Sequence, residues 1–168
     1  MSVILETERL RLRQFTLGDT EFIIRLLNSP GWLEFIGDRN VKTEEQAQAY
    51  LSNGPLKSYE VNGYGLCLVE TKNDNTPIGM CGIINRVNME GQDIGFAFLT
   101  EYIGKGYGYE IASATLDHAM KELKLPRVFS ITLPANKPSI KLLEKIGLEY
   151  KKNFTFPDET EELMLFSN

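Results

Sequence analysis

Ile94-Gly95-Phe96-Ala97-Phe98-Leu99 runs through Thr100-Glu101-Tyr102-Ile103 into Gly104-Lys105-Gly106-Tyr107-Gly108-Tyr109. The first six residues form an apolar run of strand length. From about Tyr109 to Leu123, Ala112, Leu116, Ala119 and Leu123 recur at helical spacing. The segment therefore predicts a strand, a glycine-rich turn and a helix. The first N–H groups of such a helix have no carbonyl partners and stand at the positive end of its dipole. Glycines let that backbone approach an anion closely, so a phosphate or diphosphate fits there, and Lys105 adds a positive charge. A tight turn that only needs positive φ fits the same spacing.

Two familiar nucleotide motifs fail on this loop. A P-loop requires Ser or Thr after its lysine, and Lys105 is followed by Gly106. A dinucleotide fingerprint counted from Gly104 meets Tyr109 where it needs glycine, and one counted from Gly106 meets Ile111. The loop also stands two-thirds of the way along the chain, which leaves too little sequence for a dinucleotide domain.

Toward the N-terminus, Ile78 to Ile84 and Gly65 to Glu70 read as strands joined by the turn cluster Asn73-Asp74-Asn75. Thr43-Glu44-Glu45-Gln46 is a capping-box pattern for a helix through about Leu51, stopped near Gly54-Pro55. Asp19 or Thr20 caps an earlier helix to about Asn28, ended by Ser29-Pro30-Gly31. Trp32 to Gly37 then follows as an apolar connector. Arg9 to Arg13 alternates strictly and reads as a half-buried strand with a solvated charged side. Toward the C-terminus, Val128 to Leu133 is a strand, Pro138 suits the first turn of a helix ending at Gly147, and Leu148 to Phe154 and Leu163 to Phe166 are strands. The order β-α-α-β-β-β-α-β-α-β-β implies a mixed sheet with helices on its faces.

The 168 residues suit one domain spanning 1–168, able to bury roughly 70 % of the unfolded surface. Apolar residues make up 42 % and charged residues 24 %, a globular profile. Lys and Arg number 18 against 23 Asp and Glu, a formal charge of −5, which argues against nucleic acid or an anionic membrane as partner. Cys67 and Cys81 sit in apolar runs and read as core thiols, and one histidine, His118, completes no metal set. No basic leader or long apolar span is evident. A reduced, cytoplasmic, metal-free protein is expected, either monomer or homodimer.

The whole pattern resembles the GNAT superfamily of acyl-CoA-dependent N-acyltransferases. The family loop Gln/Arg-x-x-Gly-x-Gly/Ala falls on Ile103-Gly104-Lys105-Gly106-Tyr107-Gly108, with Ile103 departing from it. Asn136-Lys137-Pro138-Ser139-Ile140-Lys141-Leu142-Leu143-Glu144-Lys145-Ile146-Gly147-Leu148 is similar to the family segment Asn-x-x-Ser/Ala-x-x-Leu-Tyr-x-x-x-Gly-Phe. Glu6-Thr7-Glu8-Arg9-Leu10-Arg11-Leu12-Arg13 resembles the opening of the ribosomal-protein N-acetyltransferase branch.

The resemblance implies an α/β fold with a central mixed, mostly antiparallel sheet, splayed middle strands and helices on both faces. It implies acetyl-CoA as co-substrate, its diphosphate held by Gly104, Lys105, Gly106, Tyr107, Gly108 and Tyr109. Its pantetheine arm would take main-chain contacts from Phe98 and Leu99 and a hydrogen bond from Asn136, a residue that also suits a local turn. The reaction implied is direct attack of a primary amine, a protein N-terminus or a small molecule, on the thioester. Leu143 stands where many relatives carry a tyrosine acid, so Ser139, one helical turn earlier, is the candidate proton donor, although it also suits helix N-terminal hydrogen bonding. Glu34 and Asp93 are candidate bases unless simply solvated, and Trp32 and Phe35 are candidate acceptor walls. The leucine at 143 also leaves open a non-catalytic acyl-CoA sensor, and a phosphate-binding fold unrelated to CoA stands as a third reading.

Overall fold

The computed structural model describes residues 2–168. Its sheet has eight strands: β1 (Val3–Glu6), β2 (Leu10–Arg13), β3 (Leu66–Thr71), β4 (Pro77–Ile84), β5 (Asp93–Phe98), β6 (Phe129–Thr132), β7 (Glu149–Phe154) and β8 (Leu163–Ser167). They lie in the order β1-β2-β3-β4-β5-β6-β8-β7. Every neighbouring pair is antiparallel except β5 and β6, which run parallel. This is the mixed, mostly antiparallel sheet that the sequence implied.

Period-two alternation divides the apolar residues of the central strands between two cores. Cys67, Val69, Cys81 and Ile83 face one side with Ile111, Ala112 and Ala119 of α5 (Tyr107–Lys121) and Leu143 of α6 (Lys137–Lys145). Leu68 and Met80 face the other, with α1 (Thr20–Leu27), Trp32 of α2 (Pro30–Phe35) and α3 (Glu44–Leu51). Burial on both faces is why β3 and β4 read as nearly continuous apolar runs. Burial pushes both thiols up to about 12, so Cys67 and Cys81 are packing residues.

Four local readings need correction. The N-terminal strand β1 was not expected; it pairs with β2. Ser29-Pro30-Gly31 starts a helix as well as ending one: Ser29 is the N-cap of α2 and Pro30 its first residue, where proline loses no hydrogen bond. The helix begun at Thr43 has the reciprocal cap, with the Gln46 N–H on Thr43 Oγ1 at 3.2 Å and the Thr43 N–H on Gln46 Oε1 at 3.0 Å. It does not stop at Gly54-Pro55, because a widened π turn (Ser52–Leu56) carries it into α4 (Lys57–Asn62). That turn accommodates Pro55, whose ring and missing N–H break a regular α ladder. Finally, Arg13 is buried, its guanidinium 3.1 Å from Glu70 Oε1 and 2.9 Å from Asp19 Oδ1.

Candidate active site

The sheet parts between β5 and β6. Their only paired register is Asp93 with Phe129, and the Phe129 N–H donates to the Gln92 carbonyl at 2.9 Å. One step on, the Ser130 hydroxyl donates to the Ile94 carbonyl at 2.9 Å, a side chain reaching where a strand no longer does. Along a strand the main-chain groups turn alternately to either edge. Gln92 and Ile94 face β6, so Phe96 and Phe98 face the gap with no strand opposite them. Leu99 does not offer the contacts expected of it. Its N–H donates to the Ile78 carbonyl at 2.9 Å, and its carbonyl accepts from the Tyr102 N–H at 3.0 Å. The unpaired edge runs instead through Phe96 and Phe98, and strand alternation rather than the motif identifies Phe96.

Beyond β5 the loop turns twice in the left-handed region, at Gly104 and Gly106, each with φ of 83°. Gly106 is the N-cap of α5, and the N–H groups of Gly106 through Tyr109 find no acceptor among the described residues. A Cβ at position 108 would lie 3.2 Å from Leu142 Cδ2 and 3.6 Å from Phe98 Cε2. The end of β5, the first turn of α5 and α6 thus meet at that glycine. The N-terminal segment is fastened to the same turn. Glu110 accepts from the Thr7 hydroxyl, the Arg9 amide at 2.9 Å and Arg9 Nε at 2.7 Å, while Arg9 Nη1 donates to the Lys105 carbonyl at 3.1 Å. Burial alone would raise the Glu110 carboxyl. Its hydrogen bonds from Thr7 and Arg9 outweigh that and hold it below its ordinary value. The Arg9 guanidinium also lies 4.3 Å from the Tyr107 ring centre.

A cleft of about 860 Å³ opens at the parting. It brings together Trp32, Phe35, Asp93, Asn136 and Ser139, five residues drawn from three separate stretches of sequence. Glu34 is exposed and does not line it. Asn136 caps α6, its Oδ1 accepting from the Ser139 N–H at 3.3 Å, which leaves its amide NH₂ uncommitted. The Ser139 hydroxyl has no hydrogen-bond partner among the described residues. Leu143 is fully buried in the core beneath α6. Asp93 is 1 % exposed and pairs with Arg86 Nε at 3.1 Å and 3.2 Å. Burial pushes its carboxyl up to about 6, against the pull of Arg86. Sequence spacing gave no signal for Arg86, whose partnership exists only because β4 and β5 are antiparallel and place Ile84 opposite Asp93.

A mixed sheet parted beside a glycine-capped helix start is the architecture of an acyltransferase, as the sequence resemblance implied. Residues 9–149 match the family described as an acetyltransferase (GNAT) domain. The uncharacterized N-acetyltransferase YnaD of Bacillus subtilis is 28 % identical over 142 residues, covering 84 % of this chain and 80 % of that protein. The crystal structure of a GNAT-family acetyltransferase from Bacillus anthracis superposes with a TM-score of 0.81 at 26 % identity, covering 98 % and 96 % of the two chains. RimL, a ribosomal L7/L12 α-N-protein acetyltransferase in complex with coenzyme A, shares the fold with a TM-score of 0.82 at 14 % identity, covering 99 % and 97 %. The chain belongs to the GNAT acetyltransferase family.

Proposed function

We propose that this acetyltransferase moves the acetyl group of acetyl-CoA to a primary amine by direct attack in a ternary complex. The observation that carries this reading is the unpaired main chain. Free N–H groups at the start of α5 suit a diphosphate, and the unpaired edge of Phe96 and Phe98 suits the amides of a pantetheine arm. The coenzyme A complex of RimL supports the same co-substrate. Asn136 has its NH₂ available for the arm.

In the transfer, the amine nitrogen bonds to the thioester carbon, the C–S bond breaks, the amine gives up a proton and the CoA sulfur gains one. Asp93, with its raised carboxyl in the cleft, is the proton acceptor, directly or through one water. Ser139, with its hydroxyl unengaged, is the donor to the sulfur. Glu34, exposed outside the cleft, has no such role. Trp32 and Phe35 wall the acceptor side. Holding an α-amine of pKa near 8 neutral at pH 7 costs about 1.4 kcal/mol, against roughly 4.6 kcal/mol for a lysine side chain. One carboxylate of pKa about 6 is a modest base, which suits an N-terminal amine better. Two buried thiols suit a reducing, cytoplasmic setting.

The test is thiol release from acetyl-CoA in the presence of a panel of amines and short peptides, with products weighed by mass spectrometry. Stoichiometric acetylation of an amine is the expected result. Tight acetyl-CoA binding without turnover of any acceptor would overturn it in favour of the sensor.

A further inference from the structure

Two cations stand together at the start of α5, the end of the helix whose dipole repels them. The Arg9 guanidinium rests 4.3 Å from the Tyr107 ring centre, and Lys105 Nζ stands 5.7 Å from the centre of the Tyr102 ring. The two rings are themselves neighbours, with centres 6.4 Å apart. Arg9 is tied to the main chain of Lys105 as well, since its Nη1 donates to that carbonyl at 3.1 Å. Gly106 lies as close, because a Cβ there would be 3.2 Å from Arg9 Nη2. An aromatic face and a carbonyl thus hold the guanidinium against the loop.

Their charge is only partly met. Glu110 takes Arg9 Nε at 2.7 Å, but Arg9 Nη2 has no acceptor and Lys105 no ion pair among the described residues. Glu101, just before the glycine turn, is paired with Arg25, and Glu8 forms an ion pair with neither cation. Positive charge left over at the positive end of a helix is unfavourable, and a bound anion removes that cost.

A diphosphate on the N–H groups of Gly106 to Tyr109 leaves both side chains unused. CoA carries a third phosphate on its ribose 3′ oxygen, a phosphomonoester that is close to a dianion at neutral pH. It belongs to the end of the carrier farthest from the thioester, so it stays at the surface while the thioester enters the cleft. Arg9 and Lys105 are both exposed at that surface. We propose that Arg9 and Lys105 form a subsite for the 3′-phosphate of CoA, distinct from the diphosphate cradle and resting on the acetyl-CoA reading above. Arg9 Nη2 and Lys105 Nζ each donate to a phosphate oxygen there.

Calorimetric titration with CoA and with 3′-dephospho-CoA, which differ by this one phosphate, measures the subsite without any acceptor amine. The wild-type protein should bind CoA about tenfold more tightly at low salt, and the gap should narrow as salt rises. Lys105→Gln should narrow it about threefold and Arg9→Gln/Lys105→Gln should close it, each protein checked for folding by thermal unfolding. Lys145→Gln controls for a general charge effect. The Lys145 ammonium lies 4.5 Å from the Tyr109 ring centre, and positions 107 and 109 face different sides of the helix, so the gap should persist. Equal affinity for the two ligands in the wild-type protein overturns the subsite and leaves the diphosphate cradle standing. A Lys105→Gln protein that loses affinity for both ligands alike, or a gap narrowed as far by Lys145→Gln, overturns it too. Binding of neither ligand overturns the co-substrate reading itself.

Discussion

Asp93 combines two opposing environments, almost complete removal from water and an Arg86 partner that is itself one-third exposed. Burial prevails, and the carboxyl rises from its ordinary value to about 6. Below about pH 4 the residue is protonated in folded and unfolded chains alike and contributes no penalty. As pH rises from 4 to 6 the unfolded chain releases this proton while the folded chain holds it. The stability is therefore lost across that window, by an amount on the order of 3 kcal/mol that is complete above pH 6. Asp93→Asn should lack this slope, which paired urea titrations of the two proteins at pH 4.5 and 7.5 would measure. Catalysis should run the other way, because the base proposed above works when deprotonated. In the wild type, kcat/KM for the amine should rise through an ionisation near 6, and that step should vanish in the variant along with tenfold or more of kcat. An unchanged pH profile in Asp93→Asn would remove it from the proton path.

Elements were legible where one local signal decided them and illegible where two signals shared the same residues. The glycine loop, the Thr43 cap and the paired strands β3 and β4 follow from short-range chemistry that needs no partner. Ser29-Pro30 is a helix stop and a helix start at once, and only packing of Trp32 under the sheet selects the second. Within the site, the main-chain role of Leu99 failed because strand parity depends on which neighbour β5 pairs with. Arg86 was invisible beside Asp93 since their proximity is wholly tertiary. The link between Thr7-Glu8-Arg9 and the loop is of the same kind: Glu110 collects three donors from a segment about a hundred residues away. Glu110→Ala should cost about 1–2 kcal/mol of stability, a figure held down by the exposure of Arg9. It should also raise KM for acetyl-CoA several-fold, because Arg9 is released from the Lys105 carbonyl. Denaturant midpoints and acetyl-CoA saturation curves check the two parts separately.

At the scale of the whole molecule, one sheet is covered on both faces yet left open between β5 and β6, so the fold is complete only up to the parting. A ligand that fills the parting and neutralises the start of α5 binds the folded chain and has nothing to bind in the unfolded one. Its binding energy therefore appears as stability, about 2.7 kcal/mol at a hundredfold excess over Kd. For a domain of this size that corresponds to a rise in Tm of roughly 5–10 °C. Gly106→Val tests where that energy enters. A β-branched residue at φ of 83° is strained, and its Cβ would stand 3.2 Å from Arg9 Nη2, so the loop must shift. The variant should unfold somewhat earlier without ligand, by the equivalent of about 1–3 kcal/mol. It should also lose most of the rise that acetyl-CoA produces in the wild type. Scanning calorimetry of both proteins with and without acetyl-CoA distinguishes the cases. A lowered Tm with the full ligand-induced rise intact would mean that the loop is structural and that the diphosphate is held elsewhere. A lost rise would place it on the N–H groups between Gly106 and Tyr109.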